Sequence, residues 1–154
     1  MTRAIALLAG AFLAAVTAWS ASTLAIAQEK RPVISVWKSA TCGCCVKWVD
    51  HLRQSGYQVI ARDVDNLDEI KRVNGVPTHL QSCHTAKVGA YVVEGHVPAS
   101  DIDRLLNERP AVKGIAVPGM PLGSPGMEVP SGEKESYAVL SFDEAGRSAP
   151  FSRH

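Results

Sequence analysis

The chain carries almost no excess charge: 16 Lys and Arg stand against 15 Asp and Glu in 154 residues. No cluster of basic residues stands out, so electrostatic capture of nucleic acid or of an anionic membrane surface has nothing to act through. Cysteine is also scarce. Four residues cannot make a disulfide-dense scaffold, and the stretch from Gln28 to His154 is long enough to bury a core without one. Acidic residues are missing altogether from the first 27 positions, where Arg3 is followed by the nearly unbroken apolar run Ala4 to Trp19. That is the shape of a secretory signal peptide, with Ala25-Ile26-Ala27 as the small-x-small site and cleavage before Gln28. The alternative, a membrane anchor of about 17 or more apolar residues, fits less well because Gly10 and Thr17 interrupt a short, alanine-rich run. Beyond residue 27 no stable anchor is expected. Removal of residues 1–27 would leave equal numbers of basic and acidic side chains. Export implies an oxidising compartment where free thiols pair unless a metal or a reductant holds them.

Against that scarcity, three of the four cysteines fall together in Thr41-Cys42-Gly43-Cys44-Cys45, and the fourth, Cys83, is followed at once by His84. The surroundings of the first cluster are readable. Val33 to Trp37 is apolar and rich in β-branched residues, a buried strand. After the cysteines, Cys45, Trp48, Val49 and Leu52 recur at helical spacing, which predicts a helix ending near Ser55-Gly56 with Cys45 facing inward and Cys44 turned about 100° away. Tyr57 to Val64 reads as a second strand, and Asn66 to Asn74 as a short helix with Asn66 as cap and Glu69 three residues on. Gly75-Val76-Pro77-Thr78 breaks the chain, and its X-Pro bond could be cis. A strand through Thr78-His79-Leu80 should lead to a Cys83-His84 turn, a further strand should run from Val88 to Glu94, and a helix from Ser100 to Glu108. The order β-α-β-α-β-β-α, with the functional turn after the first strand, is the thioredoxin arrangement, an α/β mixed sheet spanning residues 28–110.

From Pro110 the composition turns to proline and glycine, and Pro-Gly-Met occurs twice, ending in Met120 and Met127. Such a stretch makes neither helix nor central strand. Residues 111–145 read as a lid on the same domain, Tyr137 to Phe142 as a final strand, and the remainder of 111–154 beyond Gly146 as a frayed tail.

Three chemistries compete for the thiols. A thiol at a helix amino terminus has a lowered pKa, so Cys42 could be the nucleophile and Cys45 the resolving partner of a thiol-disulfide oxidoreductase. That reading leaves Cys44, Cys83 and His84 without work. Sulfur donors with imidazole select Cu(I), and thiols this crowded suit bridging of more than one ion better than a single tetrahedral zinc. The third reading is two structural disulfides, Cys42 to Cys45 and Cys44 to Cys83, although a small loop between near neighbours constrains little of the unfolded chain. Met120 and Met127 are either gap-fillers or thioether ligands. His51, about 10 Å up the helix from Cys44, is not a ligand. His79 is expected to be structural, His96 is a candidate by its place in a turn, and His154 is a chain end.

Trp37 through Cys45, Gly75-Val76-Pro77, Ser82-Cys83-His84-Thr85-Ala86, Val88-Gly89, Glu94-Gly95-His96-Val97-Pro98, Val117-Pro118-Gly119-Met120-Pro121 and Gly126-Met127-Glu128 together resemble the exported copper-resistance proteins called CopG. The plasmid repressors of that name are unrelated. The resemblance covers nearly all of residues 28–154. It implies a thioredoxin-like domain in the periplasm that binds copper through Cys42, Cys44, Cys45, Cys83, His84, Met120 and Met127. Its partners would be copper ions and other periplasmic copper-handling proteins.

Overall fold

A computed structural model describes residues 31–154; the expected signal peptide and its cleavage site lie outside them. The strands form one seven-stranded mixed sheet in the order β2-β1-β3-β4-β5-β6-β7. Their bounds are β1 Ile34–Lys38, β2 Val59–Asp63, β3 His84–Val88, β4 Tyr91–Glu94, β5 Gly114–Ala116, β6 Ala138–Phe142 and β7 Ser148–Arg153. The helices are α1 Gly43–Gln54, α2 Leu67–Val73 and α3 Ala99–Glu108. β1 pairs with β2, and β4 with β5, in parallel; the other pairs are antiparallel. No helix among the described residues is long and apolar enough to cross a membrane.

Side-chain alternation along the strands divides the sheet into two faces. Val36, Ala86, Val93 and Ile115 pack with Trp48, Val49 and Leu52 of α1 and with Ile102 and Leu105 of α3. Val92, Ala116 and Phe142 meet Val76 and Leu80 on the other face. The helical period thus placed Cys45, Trp48, Val49 and Leu52 as expected, all of them buried. α1 and α3 are joined by polar contacts as well: the Trp48 indole donates to the Val97 carbonyl at 2.8 Å, and the Ala99 N–H donates to His51 Nε2 at 3.1 Å. Asn66 caps α2 by accepting from the Glu69 N–H.

Several local expectations are corrected. Thr78–Leu80 is one turn of 3-10 helix, not a strand. Proline at 77 offers no N–H to a ladder, and its carbonyl instead accepts from the Leu80 N–H at 2.9 Å. The peptide bonds of the described residues are all trans, Pro77 included. His79 lies exposed on that turn, 3.4 Å from the Ser148 hydroxyl, and holds no core position. The strand expected from Val88 to Glu94 is interrupted: β3 ends at Val88, Gly89 takes a positive φ of 56°, and β4 returns from Tyr91. The Cys83-His84 turn accordingly ends one residue earlier, with His84 already the first residue of β3. β5 runs inside the stretch read as lid. Glycine at 114 lets it approach, because a Cβ there would collide with the Val92 carbonyl and come within 2.8 Å of the Phe142 ring. The tail beyond Gly146 is β7, held along β6 and pinned by the Arg104 guanidinium over the Phe151 ring and the His154 ring stacked on Tyr137.

Candidate metal centre

Cys42 sits at the N-cap of α1 with extended backbone (φ −79°, ψ 92°) and makes no side-chain cap. The Cys42 N–H donates to the Ser39 carbonyl at 3.2 Å, a tight turn that directs the chain from β1 into the helix. No acidic residue occupies the first turn of α1, so no side-chain charge there offsets the positive end of the helix dipole. Cys42 and Cys45 are joined as a disulfide with Cα atoms 5.3 Å apart, while Cys44 and Cys83 are free thiols. Cys45 is fully buried and Cys42 half-buried, the asymmetry expected of a resolving and an attacking thiol. The pairing of Cys44 with Cys83 weighed above is not made. Cys44 Sγ lies 3.5 Å from Cys42 Sγ.

β3 delivers the second half of the site. Its antiparallel pairing sets Lys38, the last residue of β1, opposite His84, so the Cys83-His84 segment arrives beside the start of α1. Cys45 Sγ lies 3.7 Å from the Cys83 carbonyl oxygen, and the sulfurs of Cys42, Cys44, Cys45 and Cys83 all lie within 4.8 Å of one another. Cys83 Sγ is also 3.2 Å from His84 Nδ1 and 3.0 Å from His96 Nε2, forming a second group of three donors that shares Cys83 with the first. Both rings are fully buried. His84 packs on Trp48 with centroids 4.2 Å apart and meets His96 edge-on at 5.1 Å. His96 Nδ1 lies 2.8 Å from the Pro125 carbonyl oxygen, which makes Nδ1 the protonated nitrogen and leaves Nε2 with a lone pair toward Cys83.

Burial tunes these groups in a consistent direction. It pushes the Cys83 thiol up to about 12, reinforced by Cys44 beside it. It holds His84 well below 6.5, with His96 and Lys71 adding to the effect, and it lowers His96 too. Neutral imidazole is the form that binds metal. One buried polar atom in this region, His84 Nε2, has no hydrogen-bond partner. Soft sulfur and neutral nitrogen donors at this density fit a thiophilic ion such as copper.

The proline- and glycine-rich segment packs against the elements that carry the cluster. The Ser82 hydroxyl donates to the Gly119 carbonyl. At Gly126 a Cβ would stand 2.7 Å from the Cys44 carbonyl oxygen and 2.8 Å from the Trp48 nitrogen, so only glycine lets this backbone rest on the first turns of α1. Met120, one residue past Gly119, is 51% exposed, and Met127, one past Gly126, is half-buried. His51 is turned to Ala99 and takes no part. Sequence reasoning did not anticipate Lys71 and Glu94, a buried pair behind Cys83. A charged residue near the end of a strand and another in a short helix carry no local signal that they will meet.

A family described as a protein of unknown function, DUF411, matches residues 80–127. No curated protein matches the chain. Two solved structures, form 2 and form 1 of the copper resistance protein CopG, are each similar at a TM-score of 0.76 and 39% identity. Each match covers 80% of this chain and 98% of the other. At that identity and coverage, with the cysteine cluster in place, the chain belongs to the family of the copper resistance protein CopG.

Proposed function

We propose that the chain is a periplasmic copper-binding protein of copper tolerance, holding Cu(I) in a thiolate-bridged site of more than one ion. The observation that carries this is the meeting of four sulfurs within 4.8 Å, with Cys83 shared by two buried histidines. Reduction of the Cys42–Cys45 disulfide by an external dithiol, which gives up two electrons and two protons and is itself oxidised to a disulfide, would supply four thiols, whose protons a bound metal would displace. Cys42, Cys44, Cys45 and Cys83 would hold the ions through sulfur, His84 and His96 through nitrogen, and Met120 and Met127 would add thioether sulfur. Closing the Cys42–Cys45 pair again would release two electrons, which two Cu(II) could accept, and two protons, and would remove two of the four thiols, so the state of the cysteines would be coupled to that of the copper. The test is anaerobic loading of the reduced chain with copper counted against protein. Several ions per chain are expected, and none in the C42S/C44S/C45S variant. Retention of full copper by that variant refutes the reading.

A second reading is favoured by the disulfide itself: a thiol-disulfide oxidoreductase working through Cys42 and Cys45. Cys44→Ala separates the two, since disulfide exchange survives it and a bridged copper site does not.

A further inference from the structure

Lys71 of α2 and Glu94 of β4 are 4% and 0% exposed, and Lys71 Nζ stands 2.5 Å from Glu94 Oε1. The same carboxylate oxygen accepts from the Ser82 N–H at 2.7 Å, and Oε2 accepts from the Thr85 hydroxyl at 2.7 Å. Lys71 also donates to Thr85 Oγ1 at 3.2 Å, which closes a ring of three side chains to which the Ser82 amide is bonded from outside. The two residues so held, Ser82 and Thr85, are the immediate neighbours of Cys83-His84 on either side. Thr85 and Glu94 are direct partners in the β3–β4 register. Alternation therefore puts them on the opposite face of the sheet from the His84 ring, which packs on Trp48 of α1.

A buried ion pair is an expensive filler, since matched apolar residues often give equal or better stability. What this one supplies is direction. Its four hydrogen bonds leave the Cys83-His84 dipeptide little freedom to turn, and none of them goes to a sulfur or an imidazole of the site.

We propose that Glu94, kept in place by Lys71 as its buried counter-ion, is a positioning residue that holds Cys83 and His84 in ligand geometry from the far side of the sheet. The inference rests on the reading of Cys83 and His84 as copper ligands. Groups that orient ligands in this way are worth about 10–100-fold in metal affinity.

Two neutral double variants separate positioning from simple filling. In K71M/E94Q the side-chain amide still accepts from the Ser82 N–H and donates to the Thr85 hydroxyl; in K71M/E94M both contacts are gone. Each is reduced, checked for folding by its melting curve, and titrated with Cu(I) in competition with a chromophoric chelator. K71M/E94M is expected to bind about 10–100-fold more weakly, and K71M/E94Q to match the parent. A metal-free readout runs alongside: the alkylation rate of Cys83 by iodoacetamide in a C42S/C44S/C45S background. That rate should rise with K71M/E94M and hold with K71M/E94Q. Equal affinities and rates in all three proteins overturn the proposal, as does an equal loss in both double variants. If the parent itself binds no Cu(I), the copper reading falls, and the alkylation comparison decides the positioning role by itself, equal rates sinking it. Should K71M/E94M fail to fold, Thr85→Val cuts the ring at one hydroxyl and must weaken copper binding in the same direction.

Discussion

Cys83 is the residue on which both donor groups turn, and its protonation is opposed to that of its neighbours. An unfolded thiol titrates near 9.0, and the buried one is pushed up to about 12. Between those values the unfolded chain has released a proton that the folded chain keeps, so stability falls as pH rises through that window. The histidines set the other limit. Unfolded His84 and His96 take up protons below 6.5, the folded rings resist, and stability falls as pH drops below that value. The urea midpoint of the metal-free chain should therefore be flat from about pH 7 to about pH 9 and decline on both sides. Cys83→Ser should remove the decline that begins near pH 9, leaving a later one from Tyr57 and Tyr137, whose hydroxyls burial raises above 10.0. A midpoint that rises with pH above 9 in the parent would contradict this account.

At the scale of elements, the site is a junction of three pieces: the first turn of α1, the lead into β3 and the lid between β5 and β6. Two glycines report on them separately. At Gly126, with φ 88°, an added methyl group meets the Cys44 carbonyl and the Trp48 nitrogen and must lift the lid. At Gly114 it would be driven into the Val92 carbonyl between paired strands. Gly126→Ala should speed alkylation of Cys44 and weaken copper binding, with the smaller effect on the melting temperature. Gly114→Ala should destabilise the whole sheet by about 1–3 kcal/mol through overpacking. Equal Cys44 reactivity in the parent and in Gly126→Ala would mean that the lid does not cover the cluster. The neighbourhood of α1 was legible from spacing alone, because Cys45, Trp48, Val49 and Leu52 mark one face whatever they pack against. The hairpin at Gly89 and the 3-10 turn at Thr78 were not, since an apolar run shows no boundary until the register of its partners is known.

For the whole molecule, the proposed donors come from residues 42 to 96 and from Met120 and Met127 of the segment between β5 and β6, so binding should tie α1, β3 and that segment together. Copper that binds only the folded chain raises its stability by about 2.7 kcal/mol at a free concentration one hundred times the dissociation constant. The reduced, loaded chain should melt above the reduced, metal-free chain, by an increment that grows with free Cu(I). Because acidic and basic residues nearly balance, that increment should change little between low and moderate salt. A melting temperature indifferent to copper would place the metal outside the folded core.

The amino-acid sequence by itself determined the α/β class, the inward face of α1, the glycine and proline content that keeps residues 117–130 out of helix and strand, and the crowding of three thiols at one helix start. Each follows from residues within a few positions of one another, where local sterics and periodicity act. Only the tertiary structure decided that Cys83 serves two donor groups, that His96 joins it from thirteen residues away, that Lys71 and Glu94 brace it from behind and that residues 148–153 close the sheet. These depend on strand register and on which face each element buries. Distant segments must pack before such contacts exist.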